Sequence, residues 1–434
     1  MALDSYTRAM LLHESRSLVA RLAAVKPFAL QESMLPAAAL LPAAQSAIDK
    51  YLVVGRRELR HLLHEYLRWL QPPASDAATP EEAQRRFTML RLRFNVVLTQ
   101  FDMFSDVITQ RSENETGVWL GGLDVVSADA LELPGYYDAP PIICYLDRDI
   151  GAAIRRARTR LPGGGENPIA IVRVPRERMV GTGIASSLVH EVGHQAAALL
   201  DLVNSLRPVL KALQRGSPAS RMPWQMWERW ISEIVADFWS VARVGIASTI
   251  GLMGVVSLPR PFVFRLNIDD PHPMPWIRVK LSAAIGEALY PHPQWQRIGA
   301  LWESYYPPIG LAAQTQDLLA QLLESMPAFV ALLINHRPKA LRGRSLMEVM
   351  DIVQRQPARL TTLYRQWGAN PPEMYRAPPA LVFAVIGQAR ADGAISPEDE
   401  TVLLSKLLTY WALRATVNMS ELCAAAPAAR KAAA

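Results

Sequence analysis

Apolar residues in the first hundred positions recur every three to four residues, a spacing that predicts helices. Leucines recur at this spacing from Ile48 to Leu70, with arginine and glutamate between them, and the pattern ends at Pro72 and Pro73. A proline followed by two acids at Pro80 is typical of a helix start, and the pattern there runs to about Ile108. We therefore predict an N-terminal helical region over residues 1–112.

Shorter apolar segments follow from Gly117, and they predict strands. We expect strands at Val118–Val126 and Ile142–Leu146, and a basic helix over Asp149–Arg160. Ile169–Pro175 is β-branched and alternating, which makes it the clearest strand. If it lies at a sheet edge, an extended peptide could pair with it. A purely structural strand is the alternative.

Helical spacing returns near Ser186. A helix that starts there should end before Pro208, and a tryptophan-rich helix should run from about Pro223 to Val244. The apolar run Val244–Leu258 is shorter than the ~20 residues that span a bilayer, so we predict a buried helix. Helical pattern resumes from about Leu311. The expected fold is mainly α with a small β-sheet.

Composition describes a globular chain of 434 residues, half of them apolar and a fifth charged. The net charge of +6 is spread along the chain without a dense basic block, so we expect no nucleic-acid partner. Two distant cysteines fit a reducing compartment. The N-terminus lacks an apolar signal core, so we expect a cytoplasmic protein without membrane association, with non-classical export left open.

The first motif with chemical meaning is His190-Glu191-Val-Gly-His194 inside a helical apolar run. Positions i and i+4 share one helix face, so the two imidazoles could bind one metal ion. Glu191 would then reach a water on that ion without being a ligand. Two surface histidines beside a core stripe are the alternative.

A second motif, Glu233-Ile-Val-Ala-Asp237, could complete the site. If the tryptophan-rich helix runs antiparallel to the helix of the first motif, Glu233 lies at the same height along the helix axes as His194. Hydrolytic zinc usually has three protein ligands and an open position, so we predict His190, His194 and Glu233 as ligands. Asp237 would accept a hydrogen bond from the non-metal nitrogen of a ligand histidine. Two solvated acids are the alternative.

A third motif, His272-Pro-x-x-x-x-Arg278, follows in order. Together the three motifs resemble the gluzincin peptidases, most closely the family of the CAAX prenyl protease and the heat-shock protease HtpX, over roughly residues 167–290. That resemblance implies a zinc site in which His272 or Arg278 stabilises charge on the tetrahedral intermediate. The membrane spans of those proteases are missing here, which points to a soluble relative or a convergent gluzincin.

These motifs predict a soluble zinc metallopeptidase that cleaves protein or peptide substrates. Its catalytic residues would be Glu191 as general base, with His272 and Arg278. The predicted regions are residues 1–112, a zincin-like core at 113–300 and a C-terminal helical region at 301–434. A zinc-stabilised scaffold without catalysis and a host-targeted protease effector are the alternatives. Substrate, regulation and oligomeric state stay open.

Near the C-terminus, Asp392-Gly393 and the following Ile-Ser-Pro-Glu weakly resemble TerB-like helical domains. The stretch also resembles half an EF-hand loop, but Gln388 and Arg390 would occupy ligand positions, which is poor for calcium. We predict a turn with Ser396 as the N-cap of a helix that starts at Pro397.

Overall fold

The computed structural model describes residues 2–25, 36–147, 151–161, 165–175, 181–216, 218–267 and 270–432. The fold is mainly α with a small three-stranded mixed sheet, as predicted. The chain forms two compact units. The first contains Met1–Leu120, Ala157–Ile169 and Leu413–Ala434, and the second contains Gly121–Arg156 and Ala170–Ala412.

The N-terminal helices belong to the first unit. They are α1 (Ser5–Ala24), α2 (Pro42–Trp69) and α3 (Pro80–Thr109), so the two helices predicted there are confirmed. Thr79 caps α3 by accepting a hydrogen bond from the backbone N–H of Glu82, and Pro80 takes the first helical position.

The strand predicted at Val118–Val126 is wrong, because this stretch lies within helix α4 (Asn114–Leu131). Leu120, Leu123 and Val126 are fully buried. A helix that is buried on several sides loses the polar face that gives helical periodicity, so its sequence is easily mistaken for a buried strand. Gly122 also permits close packing, since a Cβ there would lie 2.5 Å from the Leu408 carbonyl oxygen.

The sheet contains β1 (Ile142–Asp147), β2 (Ala153–Arg155) and β3 (Ala170–Pro175), in the order β1-β3-β2. β1 runs parallel to β3, whereas β2 runs antiparallel to it. The strands predicted around β1 and β3 are confirmed. However, β3 lies in the centre of the sheet, so the purely structural alternative is the correct one for this strand.

The basic helix predicted over Asp149–Arg160 is also wrong where the structure describes it; residues 148–150 lie outside the described part. Residues 153–155 form the edge strand β2, with Ile154 opposite Val172. Pairing with β3 therefore overrides the weak helical pattern of this stretch.

The metal-motif helix is α5 (Gly183–Leu199), and α6 (Leu202–Leu213) follows it. The break falls at Asp201, which adopts a left-handed conformation with φ +52°, and Pro208 lies inside α6. Helix α5 therefore ends before Pro208, as predicted, but its end is set at Asp201 and not by the proline. Asp tolerates the left-handed region better than most residues, which makes it a suitable break point.

Of the remaining helices of the second unit, α7 (Pro218–Val244) and α8 (Ile246–Val256) pack most closely against α5. The apolar run near Val244 forms a helix of 11 residues, seven of them buried, which confirms the predicted buried helix. The bounds of the others are α9 (Arg260–Val263), α10 (Pro275–Leu289), α11 (Pro293–Tyr305), α12 (Ala313–Ile334), α13 (Leu346–Val349), α14 (Pro357–Ala369), α15 (Pro371–Arg376) and α16 (Pro379–Ala391).

By length and hydropathy, α12 is the single described helix that could cross a membrane. This is weak support for a span, because core helices of soluble proteins pass the same test. Leu319, Leu322, Phe329 and Leu333 line one buried face of α12, as expected for a helix that packs on a protein core.

The last helix is α17 (Pro397–Ala432), and its start is confirmed as predicted. Ser396 accepts a hydrogen bond from the backbone N–H of Asp399 at 3.0 Å, and its hydroxyl donates to that carboxylate at 2.7 Å. Residues 301–412, assigned from the sequence to a C-terminal region, belong to the same compact unit as α5 and α7.

Candidate metal and catalytic site

Close packing of α5 against α7 builds the site. Gly193 lies at the crossing, and a Cβ there would be 2.9 Å from the Cα and carbonyl oxygen of Ala236. Because glycine has no side chain, the two backbones can approach closely. This approach puts Glu233 and Asp237 of α7 opposite the two histidines of α5.

The three predicted ligands converge. His190 Nε2 lies 3.3 Å from Oε2 of Glu233, and His194 Nε2 lies 3.4 Å from Oε1 of the same carboxylate. One ligand atom from each residue lies within 4.8 Å of the other two. Zinc bonds of about 2.0–2.2 Å put the corners of a tetrahedron about 3.3–3.6 Å apart. The two nitrogen–oxygen distances, one to each oxygen of Glu233, fall within this range.

The charges around Glu233 also fit a cation. Its buried Oε2 lies 3.3 Å from Nε2 of His190, 3.2 Å from Nε2 of His272 and 3.6 Å from Nη2 of Arg278. A buried carboxylate is tolerated only where positive charge or hydrogen-bond donors face it. A divalent ion between the imidazoles and the carboxylate would supply such charge, so the group His190, His194 and Glu233 is suited to a metal.

The charges within this group are strongly coupled. Burial alone would lower the pKa of His190, but the carboxylates of Asp237 and Glu233 outweigh it and raise that pKa to about 9. Burial would raise the pKa of Glu233, but hydrogen bonds and charge from both histidines hold it well below its usual range. The carboxylates thus stabilise positive charge at the positions where a metal would supply it.

Asp237 lies next to His190 on the side away from Glu233, where a carboxylate that orients a ligand is expected. Its Oδ1 is 2.8 Å from Nδ1 of His190, although the alignment falls outside hydrogen-bond geometry. Arg278 holds the same carboxylate through two donated bonds, from Nε at 2.7 Å and from Nη2 at 2.9 Å. Burial would raise the pKa of Asp237, but Arg278 and His190 lower it to about 2.

His272 approaches from the exposed side. Its Nε2 lies 3.2 Å from Oε2 of Glu233, and half of its side chain is accessible. Asp270 fixes the ring: its Oδ1 lies 2.6 Å from Nδ1 of His272 and accepts the backbone N–H of the same residue at 2.9 Å. The Nε2 nitrogen of His272 therefore points from outside towards the cluster of His190, His194 and Glu233, which we call the metal group.

Glu191 lies beside the histidines without joining the ligand group. It is 8% exposed and lines a cavity next to His190. Burial raises the pKa of this carboxyl group. A carboxylate with a raised pKa is a better proton acceptor near neutral pH than an ordinary glutamate.

The structure thus brings together all the site residues predicted from the sequence: His190, Glu191, His194, Glu233, Asp237, His272 and Arg278. Sequence reasoning missed two contributors. Asp270 was detectable only as an acid two residues before His272, and Gly193 only as a glycine in mid-helix. Comparisons with known protein families, curated proteins and solved structures found no match to the chain.

Proposed function

We propose that the protein is a zinc-dependent peptidase. The observation that carries this proposal is the spacing of His190, His194 and Glu233, which suits one tetrahedral ion with a vacant corner. Glu191, a buried carboxylate outside the ligand group, lines a cavity together with the ligand His190, and a hydrolase needs a carboxylate near its metal-bound water. A purely structural zinc site usually has four protein ligands.

Zinc bound by these residues would supply a Lewis acid and lower the pKa of a water molecule. Glu191 accepts a proton from the attacking water and returns it to the leaving amine. Its burial supports this role, because a carboxyl group with a raised pKa can exchange a proton near neutral pH.

His272 and Arg278 have separate roles in this proposal. Nε2 of His272 faces the metal group from the exposed side, which suits the stabilisation of charge on the substrate oxygen. Arg278 is 8% exposed and donates to both oxygens of Asp237. Arg278 therefore positions Asp237, and through it His190.

The edge strand β2 offers a surface for an extended substrate. Gly151 and Ala152, just ahead of β2, line the cavity that contains Glu191. Among the described strands, β2 pairs only with β3, so it lies at one edge of the sheet, the position at which an extended peptide can add as a further strand. This arrangement supports a peptide substrate bound in extended form near the metal group.

The test compares wild type, Glu191→Gln and Glu233→Ala for zinc content and for digestion of a random peptide library. We expect wild type and Glu191→Gln to retain zinc, and Glu233→Ala to lose most of it. Cleavage by wild type should stop with chelator, and Glu191→Gln should lower it by about 10²–10⁴-fold, the contribution of general acid–base catalysis.

Glu228→Gln is the matched control. Glu228 is also an α7 glutamate, but it pairs with Arg207 and lies outside the metal group, so zinc and cleavage should be unchanged. Stoichiometric zinc in wild type without any cleavage would support the scaffold alternative. Full activity in Glu191→Gln would remove the assignment of the general base.

A further inference from the structure

A cavity of about 150 Å³ adjoins the metal group and lies between α5 and α8. From α8 it is lined by Ser248, Leu252 and Val255, which follow i, i+4 and i+7 spacing on one helix face. From α5 it is lined by Ser186 and Glu191 among others. The cavity therefore starts at the proposed general base and extends towards α8.

Two hydroxyl groups distinguish this cavity from an apolar pocket. Ser186 and Ser248 are each 5% exposed, and both line the cavity. A hydroxyl that loses its hydration without gaining a hydrogen bond is costly. An occupant that can hydrogen-bond is therefore favoured over an aliphatic one.

The dimensions limit the occupant to one medium-sized side chain. A cavity of roughly 150 Å³ accepts a group about the size of benzene. α5 and α8 are in close contact beside the cavity, because a Cβ on Gly251 would lie 2.1 Å from Oγ of Ser186. A side chain as large as leucine or glutamine is compatible with this space.

The charges favour a neutral occupant. Glu191 lines the cavity and disfavours an acidic side chain. Arg278 also lines it and disfavours a basic one, although Asp237 pairs with its guanidinium group. Leu252 and Val255 supply an apolar wall for the stem of the side chain. A neutral side chain with an apolar stem and a hydroxyl or amide group satisfies all these contacts.

We infer that this cavity is a specificity subsite for threonine, asparagine or glutamine at a residue flanking the scissile bond. The inference rests on the proposed peptidase function. An aliphatic isostere in the cavity would leave the two hydroxyls desolvated and unpaired. A loss of about tenfold per substitution is expected from the cost of such groups.

The test uses peptides that carry one isosteric pair at each position, threonine against valine and asparagine against leucine. Mass spectrometry of the fragments should show about tenfold preference for threonine and asparagine at one position next to the cleaved bond. In the Ser186→Ala/Ser248→Ala variant the ratio should fall to about one or reverse while cleavage continues. Ser257→Ala is the control, because that hydroxyl donates to Met253 and lies outside the cavity lining.

A binding measurement separates this inference from the catalytic proposal. Zinc-loaded Glu191→Gln protein is titrated with the same fluorescent peptides, and melting temperature and zinc content verify the folding of the serine variant. Cleavage by wild type with equal rates for both isosteres would overturn the inference and leave the peptidase proposal standing. Preferential binding of the threonine and asparagine peptides without any cleavage would support the inference and overturn the peptidase proposal. Equal binding of the isosteres together with no cleavage would overturn both.

Discussion

At the scale of single residues, Asp237 connects the metal group to the rest of the fold. One of its oxygens faces Nδ1 of His190, and both accept bonds from Arg278. A carboxylate at this position would favour the proton on Nδ1, which would leave the Nε2 lone pair for a bound ion. Arg278 keeps the carboxylate charged and in place. The ligand geometry therefore depends on two residues that would not touch the metal.

Asp237→Asn should weaken zinc binding by about 10–100-fold, because an amide orients His190 less well and stabilises positive charge less. Competition with a chromophoric chelator measures the affinity. Asp317→Asn is the control, since Asp317 is an exposed acid on α12. Equal zinc affinity in wild type and Asp237→Asn would contradict the positioning role.

The residues on helices were predictable because helical spacing fixes which side chains share a face. His190 with His194, and Glu233 with Asp237, are both i, i+4 pairs, and their convergence needed only an antiparallel return. Asp270 was not predictable in this way. Its position depends on the turn that precedes α10, and no periodic pattern describes such a turn.

At the scale of elements, the crossing of α5 and α7 determines whether Glu233 can reach the histidines. Gly193 permits the crossing, and a Cβ there would press on Ala236 and on Cβ of Trp239 at 2.9 Å. Both contacts are to rigid parts of α7, so a larger residue would have to push the helices apart. Helix separation and ligand distance are therefore coupled.

Gly193→Ala should lower the free energy of unfolding by about 1–3 kcal/mol through overpacking, despite the better helix propensity of alanine. It should also weaken zinc binding, because Glu233 moves away from the imidazoles. Urea unfolding and chelator competition measure the two effects. Gly183→Ala in the same helix is the control, since nothing lies within 4 Å of its added Cβ. A fully stable Gly193→Ala protein with normal zinc affinity would show that the crossing tolerates extra volume.

Elements were predicted best where one face is buried and the other solvated, as in α2 and α3. The errors at α4 and β2 have opposite physical causes. α4 has no solvated face to give it a period, whereas β2 is three residues long and owes its conformation to β3. Neither cause is visible in a local stretch of sequence, because both depend on partners far along the chain.

At the scale of the whole molecule, hydrogen bonds connect α17 to the N-terminus of α5, the helix that carries the first motif. Glu400 is 1% exposed and accepts bonds from the backbone N–H and the hydroxyl of Thr182 at 3.0 and 2.7 Å. These residues are 218 positions apart. A carboxylate at a helix N-terminus satisfies unpaired N–H groups and is favoured by the helix dipole. Arg390 pairs with its other oxygen.

Glu400→Ala should destabilise the first turns of α5, because Thr182 and Arg390 both lose their buried partner. We expect faster amide hydrogen exchange over residues 181–190 in zinc-free protein, by about tenfold or more. Glu398→Ala in the same turn of α17 is the control, since Glu398 is exposed. Unchanged exchange in this segment would mean that α5 holds its N-terminus without help from α17.

The order in which the chain supplies the two compact units has a practical consequence. The first unit takes its residues from three separate stretches, one of which is the 13-residue insertion Ala157–Ile169. A fragment that starts at residue 121 would carry this insertion without the helices it folds with, and no single cut releases either unit intact. A truncated protein that shows no activity would therefore be uninformative, whereas point substitutions in the full-length chain give interpretable results.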